Sequence, residues 1–64
     1  MTSADFMNYA KMFGYEINFT GIGMGYITLN GLKLTETLDI NDIRPMMAQI
    51  GMAIMVDTLR NEEY

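Results

Sequence analysis

Residues 26–35 read YITLNGLKLT, two short segments of alternating apolar and polar residues joined by Asn30-Gly31. An Asn-Gly pair between two such segments is the strongest short-range signal for a β-hairpin with a two-residue type I′ turn, which requires positive φ at both turn residues. The apolar residues of both segments then share one face, so the turn and the hydrophobic pattern agree. The pairs that this turn sets opposite each other are Leu29–Leu32, Thr28–Lys33 and Ile27–Leu34.

A further strand precedes this hairpin. Over residues 15–20 apolar and polar residues alternate, as they do in a half-buried strand. We expect the glycine-rich loop at residues 21–25 to set Phe19 opposite Ile27 and Ile17 near Leu29. The result is a three-stranded antiparallel meander with one apolar face that needs cover. That face comprises Tyr15, Ile17, Phe19, Ile27, Leu29, Leu32 and Leu34.

Helical spacing indicates a short helix before the sheet. Residues 3–13 place their large apolar side chains on one face. Thr2 and Asp5 stand three positions apart at its start, the spacing of a capping box. Gly14 follows its last turn, where a left-handed residue commonly ends a helix.

A longer helix follows the sheet. We expect it to begin near Asn41 or Asp42, to hold Pro45 in its first turn and to run to about Arg60 or Glu62. The element order is therefore α-β-β-β-α. The predicted fold class is α+β, a three-stranded antiparallel meander with two helices on one face, as a single small domain over residues 1–64.

This last helix carries two apolar stripes at 100° per residue, whereas an ordinary surface helix carries one. One stripe can cover the sheet, and the other would leave a contiguous apolar patch of the kind that marks an interaction site. The first stripe comprises Ile43, Met46, Met47, Ile50, Ala53 and Ile54. The second stripe, the predicted partner interface, comprises Ala48, Met52, Met55, Val56 and Leu59.

Three interpretations of the second stripe stay open. It is core covered by the first helix, a two-fold contact with a second copy, or a surface for a different protein. A chain of 64 residues buries a limited core, and without Cys it has no disulfides, so oligomerisation is the remaining route to extra stability. Methionine suits adaptable binding surfaces. We therefore expect a homodimer, with Met55→Glu as the direct test.

The composition excludes several classes of function. The chain has no His and no Cys, which rules out zinc sites built from those residues and Cys–His or Ser–His–Asp catalytic systems. The local acidic cluster of Glu36, Asp39 and Asp42 fits no calcium-loop spacing, and helix capping explains it better. We predict a protein that is not an enzyme, with no catalytic residues, no metal and no cofactor.

The charge balance argues against nucleic acid as a partner. Eight acidic and four basic residues give a net charge of −4, and neutralising phosphates requires clustered cations. The longest nearly apolar run, residues 45–56, is shorter than the ~20 residues that a membrane span needs. Residues 1–5 show no signal-peptide pattern. We expect no membrane contact and a cytoplasmic location, that of the host if the chain is virus-encoded.

The glycine-rich loop supports an alternative function. Its sequence, Gly21-Ile22-Gly23-Met24-Gly25, invites a small ligand- or phosphate-binding interpretation, although the dinucleotide fingerprint places its third glycine one position later and precedes a helix. A structural hairpin loop is the favoured interpretation. At the tip of such a loop, Ile22 and Met24 form a possible small apolar contact.

In size, acidity, lack of Cys and mixed α/β pattern, the chain resembles the small inhibitors that phages and mobile elements encode against host proteins. This likeness is generic, since no motif carries it. It implies a non-enzymatic protein–protein interaction module that binds a larger protein and modulates or inhibits it. The sequence therefore leads us to expect a small acidic homodimer that acts on a larger protein partner.

Overall fold

The computed structural model describes residues 2–62 and confirms the α+β order α-β-β-β-α. Two helices accompany an antiparallel sheet of three strands and a short fourth one. In the sheet, β2 is central, β1 pairs with one of its edges, and β3 and β4 pair with the other. The elements are α1 (Ser3–Met12), β1 (Tyr15–Gly21), β2 (Met24–Leu29), β3 (Leu32–Lys33), β4 (Leu38–Asp39) and α2 (Ile40–Glu62).

The predicted capping box starts α1. The Asp5 N–H donates to the Thr2 hydroxyl oxygen, and the Thr2 N–H donates to the Asp5 carboxylate at 2.9 Å. The Thr2 backbone N–H, followed by the Thr2 hydroxyl, holds the pKa of the Asp5 carboxyl below its usual value. At the other end, Phe13 caps the helix and Gly14 takes a φ of 96°, so the predicted left-handed residue is confirmed.

The predicted hairpin is confirmed in turn and register. Leu29 pairs with Leu32 and Thr28 with Lys33. Asn30 and Gly31 have φ values of 50° and 89°, the positive angles that a type I′ turn requires. The Asn30-Gly31 turn therefore positions β2 and β3 as expected.

Gly31→Val should lower the free energy of unfolding by about 1 kcal/mol or more, because a β-branched residue rarely adopts positive φ. A Cβ at this position would meet no atom within 4 Å, so the loss comes from the backbone alone. Gly31→Asn is the matched control, since Asn tolerates this conformation better. Urea denaturation followed by circular dichroism measures both, and equal midpoints for Gly31→Val and the parent would contradict the turn assignment.

The third strand, β3, is shorter than predicted. Leu34 N–H still donates to the Ile27 carbonyl at 2.8 Å, but Ile27 N–H donates to the Thr35 hydroxyl oxygen at 3.2 Å instead of to Leu34. The ladder therefore ends at Lys33, short of the expected Thr35. Farther along the same edge of β2, β4 pairs with Met24 and Gly25.

The predicted register between the first two strands is wrong by two residues. Ile17 lies opposite Ile27 and Phe19 opposite Gly25, with an irregularity between Phe19 and Gly21. The chain turns at residues 22–23, where Gly23 has a φ of 70°, so Met24 and Gly25 belong to β2. Because the shift is even, every side chain keeps its predicted face.

The core lies where both helices meet the centre of the sheet. Ile17, Tyr15 and other partly buried side chains surround four that are fully buried. The expectation that the whole apolar face is covered is wrong for Phe19 and Leu32, each 66% exposed, and for Leu34. The helices therefore cover the middle of the sheet and leave those positions bare. The fully buried core side chains are Ala10, Ile27, Ile43 and Met47.

The second helix begins earlier than predicted. It starts at Ile40, and the Asp39 carboxylate accepts a hydrogen bond from the Asn41 N–H at 2.8 Å, the bond of an N-cap residue. Pro45 is then the sixth residue, beyond the first turn, and has no N–H to donate to the carbonyl of Asn41 four residues back. The helix reaches Glu62, within the predicted range.

The two helices pack closely around a glycine. Gly51 is buried, and a Cβ built on it would collide with the main chain of Phe6, at the carbonyl oxygen. Farther along, the Tyr9 hydroxyl lies 3.4 Å from the Thr58 hydroxyl, which donates to the Ile54 carbonyl at 3.0 Å. α1 therefore packs on the flank of α2 that lies between the two predicted apolar stripes.

Candidate interaction surfaces

The structure divides the predicted second stripe into a buried part and an exposed part. Ala48 is buried and Met55 is half-buried, because α1 packs on the neighbouring flank of α2. Met52, Val56 and Leu59 remain 46, 43 and 55% exposed. We call these last three residues the α2 outer face. They lie at positions i, i+4 and i+7, the spacing of one side of a helix.

Small and polar side chains border the α2 outer face. Gln49, Ala53 and Asp57 line a shallow depression together with Met52 and Val56. An apolar side chain of a partner helix can enter such a depression, and exposed apolar patches with a polar border are typical of protein interaction sites. Ala53 comes from the first predicted stripe, so the exposed surface combines residues of both stripes.

The glycine-rich loop is smaller than its sequence suggests. Gly21 lies in β1, Met24 and Gly25 lie in β2, and only residues 22–23 form the turn. A Cβ at Gly25 would lie 2.8 Å from the Asn18 carbonyl oxygen, so this glycine permits close strand packing. Ile22 is fully exposed at the tip and Met24 is partly exposed. Ile22 is therefore accessible at the tip, where an apolar contact was predicted. The loop leads into strand β2, whereas a dinucleotide-binding loop leads into a helix.

A groove lies between α1 and β1, and the sequence patterns did not predict it. It has a volume of about 500 Å³. The residues that line it come from separate parts of the sequence, so no local pattern indicated their proximity. One signal was present: the first strand of a meander lies at a sheet edge. The residues that line the groove are Met7, Asn8, Lys11, Glu16, Ile17, Phe19 and Arg44.

Several side chains on the polar face of the sheet contact one another. The Asn18 amide donates to the Thr28 hydroxyl oxygen at 2.8 Å, and Thr28 is buried although it lies on the polar face. The Lys33 ammonium lies 4.7 Å from the centre of the Tyr26 ring, within range of a cation–π interaction. These four side chains of the polar face therefore contact one another.

The acidic residues are not arranged as a metal centre in the part of the chain described. The Asp39 carboxylate caps α2, as the capping interpretation of the cluster requires. Across residues 2–62, no group of three or more acidic side chains is placed to hold a metal ion.

Neither described helix is long and apolar enough to cross a membrane.

In comparisons with known proteins, no family model, no curated protein and no solved structure matches the chain.

Proposed function

We propose that this chain is a non-enzymatic protein–protein interaction module that forms a homodimer and binds and modulates, or inhibits, a larger protein in the cytoplasm. One observation carries the proposal: Met52, Val56 and Leu59 remain exposed on one side of α2 after the chain has folded. Fully burying such side chains stabilises by roughly 1.5–3 kcal/mol each. A partner that covers them gains part of that free energy.

A two-fold contact is the simplest use of the α2 outer face. Most homo-oligomers are closed and symmetric, and a two-fold axis sets the same patch of both copies in contact. The polar neighbours Gln49 and Arg60 lie on the same exposed side of α2, where they can form the wet border of an interface. The acidic net charge favours partners other than nucleic acid.

Val56→Glu should convert the dimer into a folded monomer, because the substitution introduces two carboxylates close to the two-fold axis. Val56 replaces Met55 as the test position, since Met55 is half-buried and a charge there would also disturb the core. Light scattering after gel filtration measures the mass, and circular dichroism checks the fold.

Thr37→Glu is the control, because it adds the same charge at an exposed position outside the helix. It should leave the dimer intact. A parent protein that stays monomeric at several hundred micromolar, or a Val56→Glu variant that stays dimeric, would contradict a dimer through this face.

A further inference from the structure

The outer edge of β1 has main-chain groups available for pairing. Within the described chain β1 pairs with β2 alone, so its other edge is free. Ile27 directs both its N–H and its carbonyl to the β3 side, where they bond to Thr35 and Leu34. Its β1 partner Ile17 is therefore in a non-hydrogen-bonded pair and points its own N–H and carbonyl away from β2.

The same alternation extends along β1. Residues two positions apart in an antiparallel strand have the same hydrogen-bonding direction. Tyr15 and Phe19 therefore also point their N–H and carbonyl groups to the free edge. The Gly14 carbonyl, one position out of phase, accepts from Asn30 N–H at 2.9 Å, which agrees with this assignment. Among residues 2–62, nothing pairs with the six main-chain groups that these three residues of β1 present in line.

The groove between α1 and β1 runs beside this edge and contrasts in charge with the rest of the chain. Lys11 and Arg44 line it together with one acidic residue, Glu16. The whole chain has four basic residues and a net charge of −4. Half of the cations therefore lie in one groove, where apolar surface is supplied by Met7 and by the exposed ring of Phe19.

We infer that the free edge of β1 binds an extended segment of another protein as an added strand. The segment places an apolar side chain against Met7 and Phe19 and a carboxylate opposite Lys11 and Arg44. In strand addition, main-chain hydrogen bonds supply affinity and pockets for alternate side chains supply specificity. The inference rests on the proposed function, since it names the kind of segment through which the larger partner is bound.

A second copy of the chain fits this groove less well than a lone segment. Each copy carries α1 beside its own β1, so pairing two β1 strands would bring two α1 helices together over the groove. A single extended segment meets only one helix. The cations also match an acidic segment better than they match a second copy of the same cations.

Phage display of random peptides against the intact protein identifies the segment class. We expect enriched peptides in which apolar residues alternate with polar ones and at least one residue is acidic. Lys11→Gln and Arg44→Gln should each weaken the binding of these peptides by about threefold at low salt. The effect should shrink as salt rises, because exposed charge pairs are screened.

Phe19→Pro tests the main-chain pairing directly. Proline removes an N–H that the sheet does not use, so the fold should persist while peptide binding falls by about tenfold or more. Phe19→Thr is the matched control, because it also removes the ring but keeps the N–H. Its loss of binding should be smaller than that of Phe19→Pro.

Amide exchange in the parent protein gives a second measurement if Phe19→Pro fails to fold. Bound peptide should slow exchange at the Tyr15, Ile17 and Phe19 amides. Val56→Glu should still bind the peptides, which separates failure of the dimer from failure of strand addition. Absence of enriched peptides, or enriched peptides that leave these three amides unprotected, would overturn the inference.

Discussion

Gly51→Leu should leave the chain unfolded, and Gly51→Ala should lower the free energy of unfolding by about 2 kcal/mol. On helix propensity alone, alanine in a helix interior is better than glycine by about 1 kcal/mol. The close approach of the Phe6 main chain reverses that sign, because a Cβ at Gly51 would overlap the Phe6 carbonyl oxygen. Overpacking typically costs about 1–3 kcal/mol and more where backbone must move.

Gly21→Ala is the matched control for this prediction. A Cβ at Gly21 would meet no atom within 4 Å, and its φ is outside the positive region. The free energy of unfolding of the Gly21→Ala variant should differ from that of the parent by less than about 0.5 kcal/mol. Chemical denaturation of the three variants gives the comparison. A Gly51→Ala variant more stable than the parent would show that the helices do not approach as closely as described.

Ile27→Ala should lower the free energy of unfolding by about 3 kcal/mol, whereas Leu32→Ala should cost less than about 0.5 kcal/mol. Both residues belong to the apolar face predicted from the alternating pattern. Ile27 is fully buried between sheet and helices, but Leu32 is 66% exposed. Truncating Ile27 leaves a cavity, and truncating Leu32 removes side chain already in water.

Thermal or urea unfolding followed by circular dichroism distinguishes the two variants. A chain of 64 residues has little stability to lose, so Ile27→Ala should show a fraction of unfolded chain before any denaturant is added. Equal losses for both variants would mean that the helices cover the sheet evenly, against the burial described.

Local signals in the sequence predicted the elements well. The hairpin followed from Asn30-Gly31, whose positive φ values select one turn type. The capping box of α1 followed from the spacing of Thr2 and Asp5. In each case the deciding interaction lies within a few residues along the chain, so pattern and chemistry were sufficient.

Features that depend on glycine packing could not be predicted in the same way. A glycine in the sequence can permit either a positive φ or the close approach of another segment, and the sequence does not show which of the two occurs. Gly25 permits close approach inside a strand, and Gly23 provides a positive φ. These separate roles set the register between β1 and β2, which was predicted wrongly from the sequence. Gly51 is the position at which α1 packs on α2.

The candidate surfaces were predicted in part. The pattern of α2 indicated surplus apolar surface, and Met52, Val56 and Leu59 are indeed exposed. It could not show that Ala48 and Met55 turn inward, because that depends on where α1 lies. The groove was missed for the same reason, since its walls come from three elements that are separate in the sequence.

The packing of α1 on α2 also sets the order in which the chain can fold. The Tyr9–Thr58 contact joins residues 49 positions apart. Contacts of such long range slow folding, because the intervening chain must be closed into a loop before they form. During synthesis α2 is made after α1 and the sheet, whose apolar sides are covered only in part until it emerges. The hairpin can form early, but completion of the core must wait for the last helix.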